Sequence, residues 1–161
     1  MLPMIHTIPI ISNMIRIASI VCPVLLRKHY TSERLDRLIK LDVSASGDGA
    51  TYNYHNQEAT CWLVATNLSP FDFTIDRIEI DVVLDAGSFS CISIIPQILK
   101  AASDQRIYVH SRCPMTLEVA KFAKEKSTRA TVNVQAYITS SIRPFVIARH
   151  INDLKNFQIN A

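Results

Sequence analysis

An alternation of apolar and polar residues constrains this chain most, because it recurs from residue 39 to the C-terminus. A period of two is that of a β-strand with one buried face. The alternation is clearest over 130–138 and recurs over 39–44, 60–66, 71–84, 89–95 and 106–112, with a last strand or pair around 145–151 and 157–159. Turn-forming residues separate these segments. The sequence therefore predicts a mainly β fold, an antiparallel immunoglobulin- or fibronectin-like β-sandwich of about seven strands.

Two segments depart from strict alternation. Near Asp76 and Arg77 the apolar positions change from odd to even numbers, which predicts a β-bulge or a switch between sheets. Between residues 115 and 127 the apolar residues recur at helical spacing, which predicts one crossover helix. Its apolar set is Met115, Val119, Phe122 and Ala123.

The single tryptophan, Trp62, lies within an alternating strand. Large aromatic side chains contribute much of the energy of small cores. We therefore expect Trp62 to be mostly buried between the sheets, with Phe73 and Val134 among its neighbours. The alternative is an exposed Trp62 on a binding surface, since tryptophan is also enriched at interfaces.

The most hydrophobic part of the chain is residues 8–26. In a helix, Ser12, Arg16 and Ser19 would form a narrow polar stripe beside a broad apolar face. Three arrangements fit this pattern: a membrane-spanning helix with Arg16 facing a partner, a helix in the plane of the interface, and a helix packed on its own domain or a neighbouring subunit. The residues predicted to contact a membrane or partner are Ile11, Met14, Ile15, Arg16, Ala18, Val21 and Leu25.

A basic cluster follows the apolar segment directly. Residues 27–40 carry five basic and two acidic residues, which accounts for the whole net charge of +3. We call Arg27, Lys28, Arg34 and Arg37 the basic collar. Positive residues flanking an apolar segment are typical of the cytoplasmic membrane face. The sequence thus predicts a membrane-associated helix over 1–30 and a β domain over 31–161 on the cytoplasmic, reducing side.

The segment that follows the Trp62 strand carries a family resemblance. Asn67-Leu68-Ser69-Pro70-Phe71 resembles the Asn-Pro-Asn-Pro-Phe motif of the water-stress and hypersensitive-response domain of late embryogenesis abundant (LEA) proteins. Asn67, Pro70 and Phe71 match, whereas Leu68 and Ser69 replace the family's first proline and second asparagine. The resemblance extends loosely over residues 35–160. It implies a small fibronectin-like sandwich that acts as a binding or structural module.

Local motifs for catalysis or cofactor binding are missing from the sequence. The four cysteines include no C-x-x-C pair, and no two histidines have metal-ligand spacing. The chain also lacks a G-x-S-x-G elbow, and its three glycines form no phosphate-binding loop. We therefore expect no enzyme activity, no metal and no cofactor, and we expect the cysteines to be reduced.

One strand shows a charged and aromatic face. Arg106, Tyr108, His110 and Arg112 occupy alternate positions and so point to the same side of a strand. This pattern predicts a binding face. The alternative is that these residues pair with the acidic residues of 72–85 or are simply solvated.

Taken together, these patterns predict a non-enzymatic, membrane-associated interaction or assembly protein. Its expected partners are a protein or larger complex and membrane lipid, but not nucleic acid, because a net charge of +3 is too low for a nucleic-acid wrapper. Two alternatives remain. The chain is an accessory subunit whose first helix packs on its neighbours, or a ligand-binding domain or enzyme with a pocket between sheet and helix.

Overall fold

The computed structural model describes residues 23–44, 49–85, 87–94, 96–126, 129–154 and 157–160. The predicted hydrophobic helix is therefore covered only at its end, and of its predicted contact residues only Leu25 is described, as an exposed side chain. Ile11, Met14, Ile15, Arg16, Ala18 and Val21 lie outside the described residues. Among the helices that are described, none has the length and apolarity to cross a membrane.

The described residues form three short helices and ten strands in two sheets. The helices are α1 (Pro23–His29), α2 (Ser32–Leu38) and α3 (Leu117–Lys126). Sheet one contains β1 (Ile39–Val43), β2 (Ala50–Asn53), β3 (Glu58–Asn67), β7 (Ser103–Arg112) and β10 (Phe157–Asn160). Sheet two contains β4 (Phe73–Leu84), β5 (Gly87–Ser93), β6 (Gln97–Leu99), β8 (Ala130–Thr139) and β9 (Phe145–Leu154). The predicted mainly β fold is confirmed, with more strands than the seven expected.

Strand β3 is the centre of sheet one. It pairs antiparallel with β7 over its full length, from Glu58 opposite Arg112 to Asn67 opposite Ser103. Its other edge is shared by β1 and β2. Strand β10 runs parallel to β2, so the sandwich is not entirely antiparallel as predicted. A parallel pair needs a long connection, and about a hundred residues separate these two strands.

Strand β4 has the equivalent central position in sheet two. It pairs with β8 along one edge, and with β5 and β6 along the other. The register between β4 and β8 shifts between Ile75 and Arg77. This confirms the bulge predicted from the change of phase at Asp76 and Arg77.

The hydrophobic core lies between the two sheets and is filled by the apolar positions of the alternating segments. In β8, the five apolar positions of the alternation over 130–138 are buried. Tyr52, Leu63, Phe73 and Ile80 are among the largest fully buried side chains. Apolar surface buried in this way is the main source of folding free energy.

The expectation that Trp62 is mostly buried between the sheets is wrong. Strand β3 turns Cys61, Leu63 and Ala65 into the core, and Trp62 is 40% exposed on the opposite face. Both faces of this strand carry apolar residues, so alternation alone does not identify the inner one. Phe73 does lie in the core, where its ring packs against Phe145.

Helix α3 begins and ends close to the predicted limits, but its buried stripe differs from the predicted set. Ala120 and Ala123 are buried, Val119 is partly buried and Phe122 is exposed. The helix packs beside β10. Small side chains allow a helix to approach a sheet closely, which explains why the alanines, and not Phe122, face the core.

The N-terminal helices and part of the basic collar pack against the sandwich. Leu26 and Tyr30 are partly buried against the core, and the rings of Tyr30 and Phe71 meet edge to face at 4.9 Å. Arg27 Nε donates to the carbonyl of Ile142 at 2.8 Å, and Arg143 donates back to the carbonyl of Arg27. Residues 26–30 therefore pack against the β domain. The division between a helical segment and the β domain at residue 31 stays a prediction.

Helix α2 is tied to both sheets. Thr31 caps it by accepting a hydrogen bond from the Arg34 backbone, and Leu35 is fully buried. Arg149 of β9 donates to the Asp36 carboxylate at 2.8 Å and to the Ile39 carbonyl at 2.9 Å. One guanidinium thus joins α2 and the start of β1 to sheet two, with charge-assisted bonds that are stronger than neutral ones.

The asparagine of the LEA-like motif organises the turn between β3 and β4. Asn67 is fully buried, and its amide donates to the carbonyls of Phe71 at 2.7 Å and Lys100 at 3.0 Å. Its carbonyl accepts from the Ser69 backbone at 2.9 Å. The motif therefore has a structural role here, because a buried amide satisfies three backbone groups.

We expect Asn67→Ala to lower the free energy of unfolding by about 2–4 kcal/mol, because it removes the buried hydrogen bonds of the amide and takes away the acceptor of the buried Ser69 N–H. Asn67→Asp keeps the shape of the side chain but loses both donors, and it is expected to be at least as destabilising. Denaturant unfolding measures both effects. The control is Leu68→Ala, a change at the adjacent exposed side chain. If Asn67→Ala matched this control, the turn would not depend on the amide.

A second prediction concerns the packing of α1. Tyr30→Ala removes the ring contact with Phe71 and the contact with the Arg34 guanidinium, which lies 5.5 Å from the ring centroid. The expected loss of unfolding free energy is about 2 kcal/mol, because the ring is only partly buried. Val24→Ala, an exposed change within α1, is the control. Equal effects of the two changes on thermal unfolding would show that the packing of the Tyr30 ring does not stabilise the domain.

Candidate partner-binding face

The four residues predicted as a binding face lie on the outer side of β7. Arg106, Tyr108, His110 and Arg112 are exposed, and they alternate with Ile107 and Val109, which are buried in the core. At about 3.4 Å per residue, the four side chains extend along roughly 20 Å of strand. The structure therefore presents them as one continuous strip.

Trp62 joins this strip from the neighbouring strand. It lies directly opposite Tyr108 in the register of β3 and β7, and the two ring centroids are 4.7 Å apart at an angle of 43°. Trp62 is 40% exposed and Tyr108 is 45% exposed. Two large aromatic rings thus pack against each other and still present much of their surface to solvent.

His110 extends the aromatic contact along β7. Its ring is stacked with that of Tyr108 at 6.3 Å and 13°, and its Nε2 lies 3.6 Å from Oε2 of Glu58. We refer to Trp62, Tyr108 and His110 as the aromatic face. It combines apolar surface with hydroxyl, indole and imidazole groups that form hydrogen bonds.

The charges around the aromatic face are balanced. Opposite Arg112 in the register lies Glu58, and opposite Arg106 lies Val64, which is itself opposite Asp42 of β1. The basic side chains on this outer face of sheet one are Lys40, Arg106 and Arg112, and the acidic ones are Asp42, Glu58 and Asp104. The face therefore has no strong net charge.

The sheet beneath the aromatic face holds it in place. Strands β3 and β7 are paired over ten residues each, and Leu63, Ile107 and Val109 anchor the inner side with almost no exposure. A central pair of long strands has few ways to move without breaking the ladder. The sheet therefore holds Trp62 and Tyr108 in fixed positions, and preorganisation of this kind lowers the entropic cost of any binding at such a surface.

The acidic strand is not the neighbour of this strip. Residues 73–84 form β4 in sheet two, whereas β7 pairs with β3 in sheet one. In sheet two, Asp81 accepts a hydrogen bond from Ser90 and Glu79 pairs with Arg77. The alternative that the acidic segment neutralises Arg106 and Arg112 across strands is thus inconsistent with the topology.

The four residues of the basic collar are exposed, but their contacts differ. Arg27 bonds to the Ile142 carbonyl, and Arg34 lies over the Tyr30 ring. Lys28 and Arg37 are also exposed, in the last turns of α1 and α2. The collar thus includes two arginines that contact the domain itself.

A shallow cleft lies between α3 and β10, where the sequence allowed for a pocket between sheet and helix. It has a volume of about 250 Å³ and is lined by Ala123, Lys124 and the four residues of β10. Its polar groups are one ammonium and side-chain amides. Within the described part of the chain, no group of three His, Cys, Asp or Glu side chains is placed to hold a metal ion.

The sequence placed Trp62 on a binding surface only as the alternative to a buried position, and it did not indicate Glu58 as a member of this surface. A signal was present in β3, where Cys61, Leu63 and Ala65 form an unbroken apolar set, but Trp62 alternates with the polar Thr60 and with Thr66 further along. The more uniform set faces the core. Glu58 gave no local signal, because its place beside His110 depends on the pairing of β3 with β7.

Comparisons with known proteins concern the fold. No protein-family model matches this sequence, and no curated protein is significantly similar to it. Among solved structures, an X-ray structure of a Northeast Structural Genomics Consortium target is similar with a TM-score of 0.50 and 8% identity, over 73% of this chain and 87% of that chain. At this identity the likeness shows a shared fold alone.

Two further matches have lower TM-scores. A protein from Archaeoglobus fulgidus matches with a TM-score of 0.43 and 10% identity, over 71% of this chain and 91% of that chain. The solution structure of a protein described as a candidate LEA protein matches with a TM-score of 0.38 and 15% identity, over 89% of this chain and 91% of that chain. The solved structures that this chain resembles thus include one that carries the LEA description.

Proposed function

We propose that this chain is a non-enzymatic interaction protein whose aromatic face binds a protein partner. The observation that carries the proposal is the exposed contact between Trp62 and Tyr108 on a rigid strand pair. Tryptophan, tyrosine and arginine are the residue types that most often dominate binding energy at protein interfaces. All three types occur within this one strip.

The charge pattern favours a protein over a nucleic acid as the partner. Nucleic-acid binding depends on an excess of basic residues that neutralise phosphates. Here three basic side chains share the surface with three acidic ones, and Glu58 lies beside His110 at the end of the strip. A polar rim of mixed charge around an aromatic centre is typical of protein interfaces.

The N-terminal segment would bring this surface to a membrane. The support is the apolar sequence over 8–26 and the basic collar that follows it. Because Leu26 of α1 and Tyr30, the residue after α1, pack against the domain, such an anchor would hold the sandwich close to the bilayer. In this proposal the sandwich lies on the cytoplasmic side with reduced cysteines. The alternative is that residues 1–22 pack on a neighbouring subunit of a larger complex.

The finer fold assignment is also a proposal. The Asn67 to Phe71 motif and the two-sheet architecture support an immunoglobulin- or fibronectin-like sandwich of the LEA type. That resemblance implies a binding or structural module without an assigned reaction. It is consistent with a function that depends on a surface and not on a catalytic site.

The binding proposal predicts that Trp62→Ala or Tyr108→Ala weakens partner binding by about thirtyfold, which corresponds to roughly 2 kcal/mol. The measurement is titration of a partner, identified by crosslinking to the full chain, against each variant. Leu68→Ala, which removes an exposed apolar side chain elsewhere, is the control. Equal affinities for the variants and wild type would rule out the aromatic face as the interface.

Because Trp62 is the only tryptophan, its fluorescence reports on the same surface. We expect red-shifted emission that acrylamide quenches readily in the free protein, and a blue shift with protection when the partner binds. Emission that stays red and quenchable at saturating partner would contradict the proposal.

The anchor is tested by flotation with vesicles that contain anionic lipid. The full chain is expected to float with the vesicles even in 1 M salt (~3 Å Debye length), because apolar insertion is not screened. A protein that begins at residue 23 keeps the collar but loses most of the apolar segment, and it is expected to stay in the soluble fraction. A full chain that fails to float would favour packing on a subunit.

A further inference from the structure

Two buried cysteines from different sheets lie close together. Cys91 belongs to β5 of sheet two, and Cys113 directly follows β7 of sheet one. Their Sγ atoms are 3.7 Å apart, and the two residues are only 1% and 4% exposed. Both are free thiols. Neither thiol is used by the proposed binding function.

The backbone of Cys113 is fixed on both sides. Its N–H donates to the carbonyl of Gln57 at 2.8 Å, and its carbonyl accepts a hydrogen bond from the Tyr52 hydroxyl at 2.9 Å. Its Sγ donates to the carbonyl of Ser90, the residue before Cys91, at 2.7 Å. The thiol of Cys113 is therefore held beside β5, close to the thiol of Cys91.

We propose that Cys91 and Cys113 form an oxidisable pair that closes to a disulfide between the two sheets when the folded protein meets a peroxide. To reach a normal S–S distance the sulfur atoms must approach by about 1.7 Å. We expect rotation of the two side chains to supply a movement of this size while the backbone ladders on either side stay in place.

The reaction is a two-electron oxidation. The thiolate of Cys113, the more exposed of the two, attacks one oxygen of hydrogen peroxide, forms a sulfenic acid and releases hydroxide, which takes a proton to become water. The Cys91 thiolate then attacks the sulfenic sulfur, and the hydroxyl leaves as a second water. Two thiols and one peroxide thus give one disulfide and two waters.

Burial sets the rate and the resting state. Burial and the neighbouring Cys113 raise the pKa of Cys91, and burial raises the pKa of Cys61 to about 12. Both therefore stay protonated at neutral pH, which makes them slow to react. Cys91, the more buried member of the pair, accordingly stays a thiol under reducing conditions, and the pair closes only under oxidant.

The disulfide would enclose a segment that spans 22 positions and would join β5 to the end of β7. A crosslink of this length stabilises chiefly by restricting the unfolded chain. For a domain of this size the expected rise in Tm is about 5–10 °C. Reduction of the disulfide by dithiothreitol is expected to reverse this rise in Tm.

The test treats the full chain, with Cys22→Ser to avoid links between molecules, with hydrogen peroxide under native conditions. We expect the intact mass to fall by two hydrogen atoms and peptide mapping to link Cys91 to Cys113. Cys61→Ala is expected to behave identically. Cys91→Ala or Cys113→Ala is expected to abolish the mass change and the rise in Tm.

Several outcomes would overturn the proposal. These are a link that includes Cys61, sulfinic acid in place of a disulfide, or an unchanged Tm after the link forms. The rate of disulfide formation is compared with the rate of global unfolding, measured by hydrogen exchange. Equal rates would also contradict the proposal, because the disulfide would then form in the unfolded chain. Peroxide treatment in denaturant provides the reference for the peptide map, because all three pairings of Cys61, Cys91 and Cys113 are expected in the unfolded chain.

Discussion

The buried amide of Asn67 bonds to the chain at two of the places where it crosses between the sheets. It bonds to Phe71, where β3 of sheet one leads into β4 of sheet two, and to Lys100, where β6 of sheet two leads into β7 of sheet one. Asn67 is also the last residue of β3, opposite Ser103 at the start of β7. One side chain therefore fixes where the two longest strands of sheet one begin to pair.

That register determines the candidate binding surface. A slip of one residue would move every side chain of a strand to the other face. Trp62 would then enter the core and Leu63 would become exposed. The contact between Trp62 and Tyr108 depends on the same alignment, since the two residues are direct partners across the strands. The turn motif thus positions the side chains of the candidate binding surface.

Sequence patterns predicted what depends on local chemistry. The alternation over 130–138 identified β8 and its buried face, and the change of phase at Asp76 and Arg77 identified the bulge. The same patterns failed where both faces of an element are apolar. In β3 and α3 the choice of inner face depends on which side chains the opposing sheet accommodates, and so Trp62 and Phe122 were assigned to the wrong side. The position of β10 and the approach of Cys91 to Cys113 depend on pairing across distant parts of the chain, which leaves no local signal.

Strand β7 connects the proposed surface and the proposed thiol pair. Its exposed side chains form the strip from Arg106 to Arg112, and the next residue, Cys113, turns inward to meet Cys91. The last cross-strand pair of β7, Arg112 with Glu58, precedes Cys113, whose N–H is bonded to Gln57. A disulfide at this point would secure the end of a ladder that is already complete. Because Cys113 lies beyond the last cross-strand pair and turns inward, the link would limit fraying of β7 while the aromatic face keeps its shape.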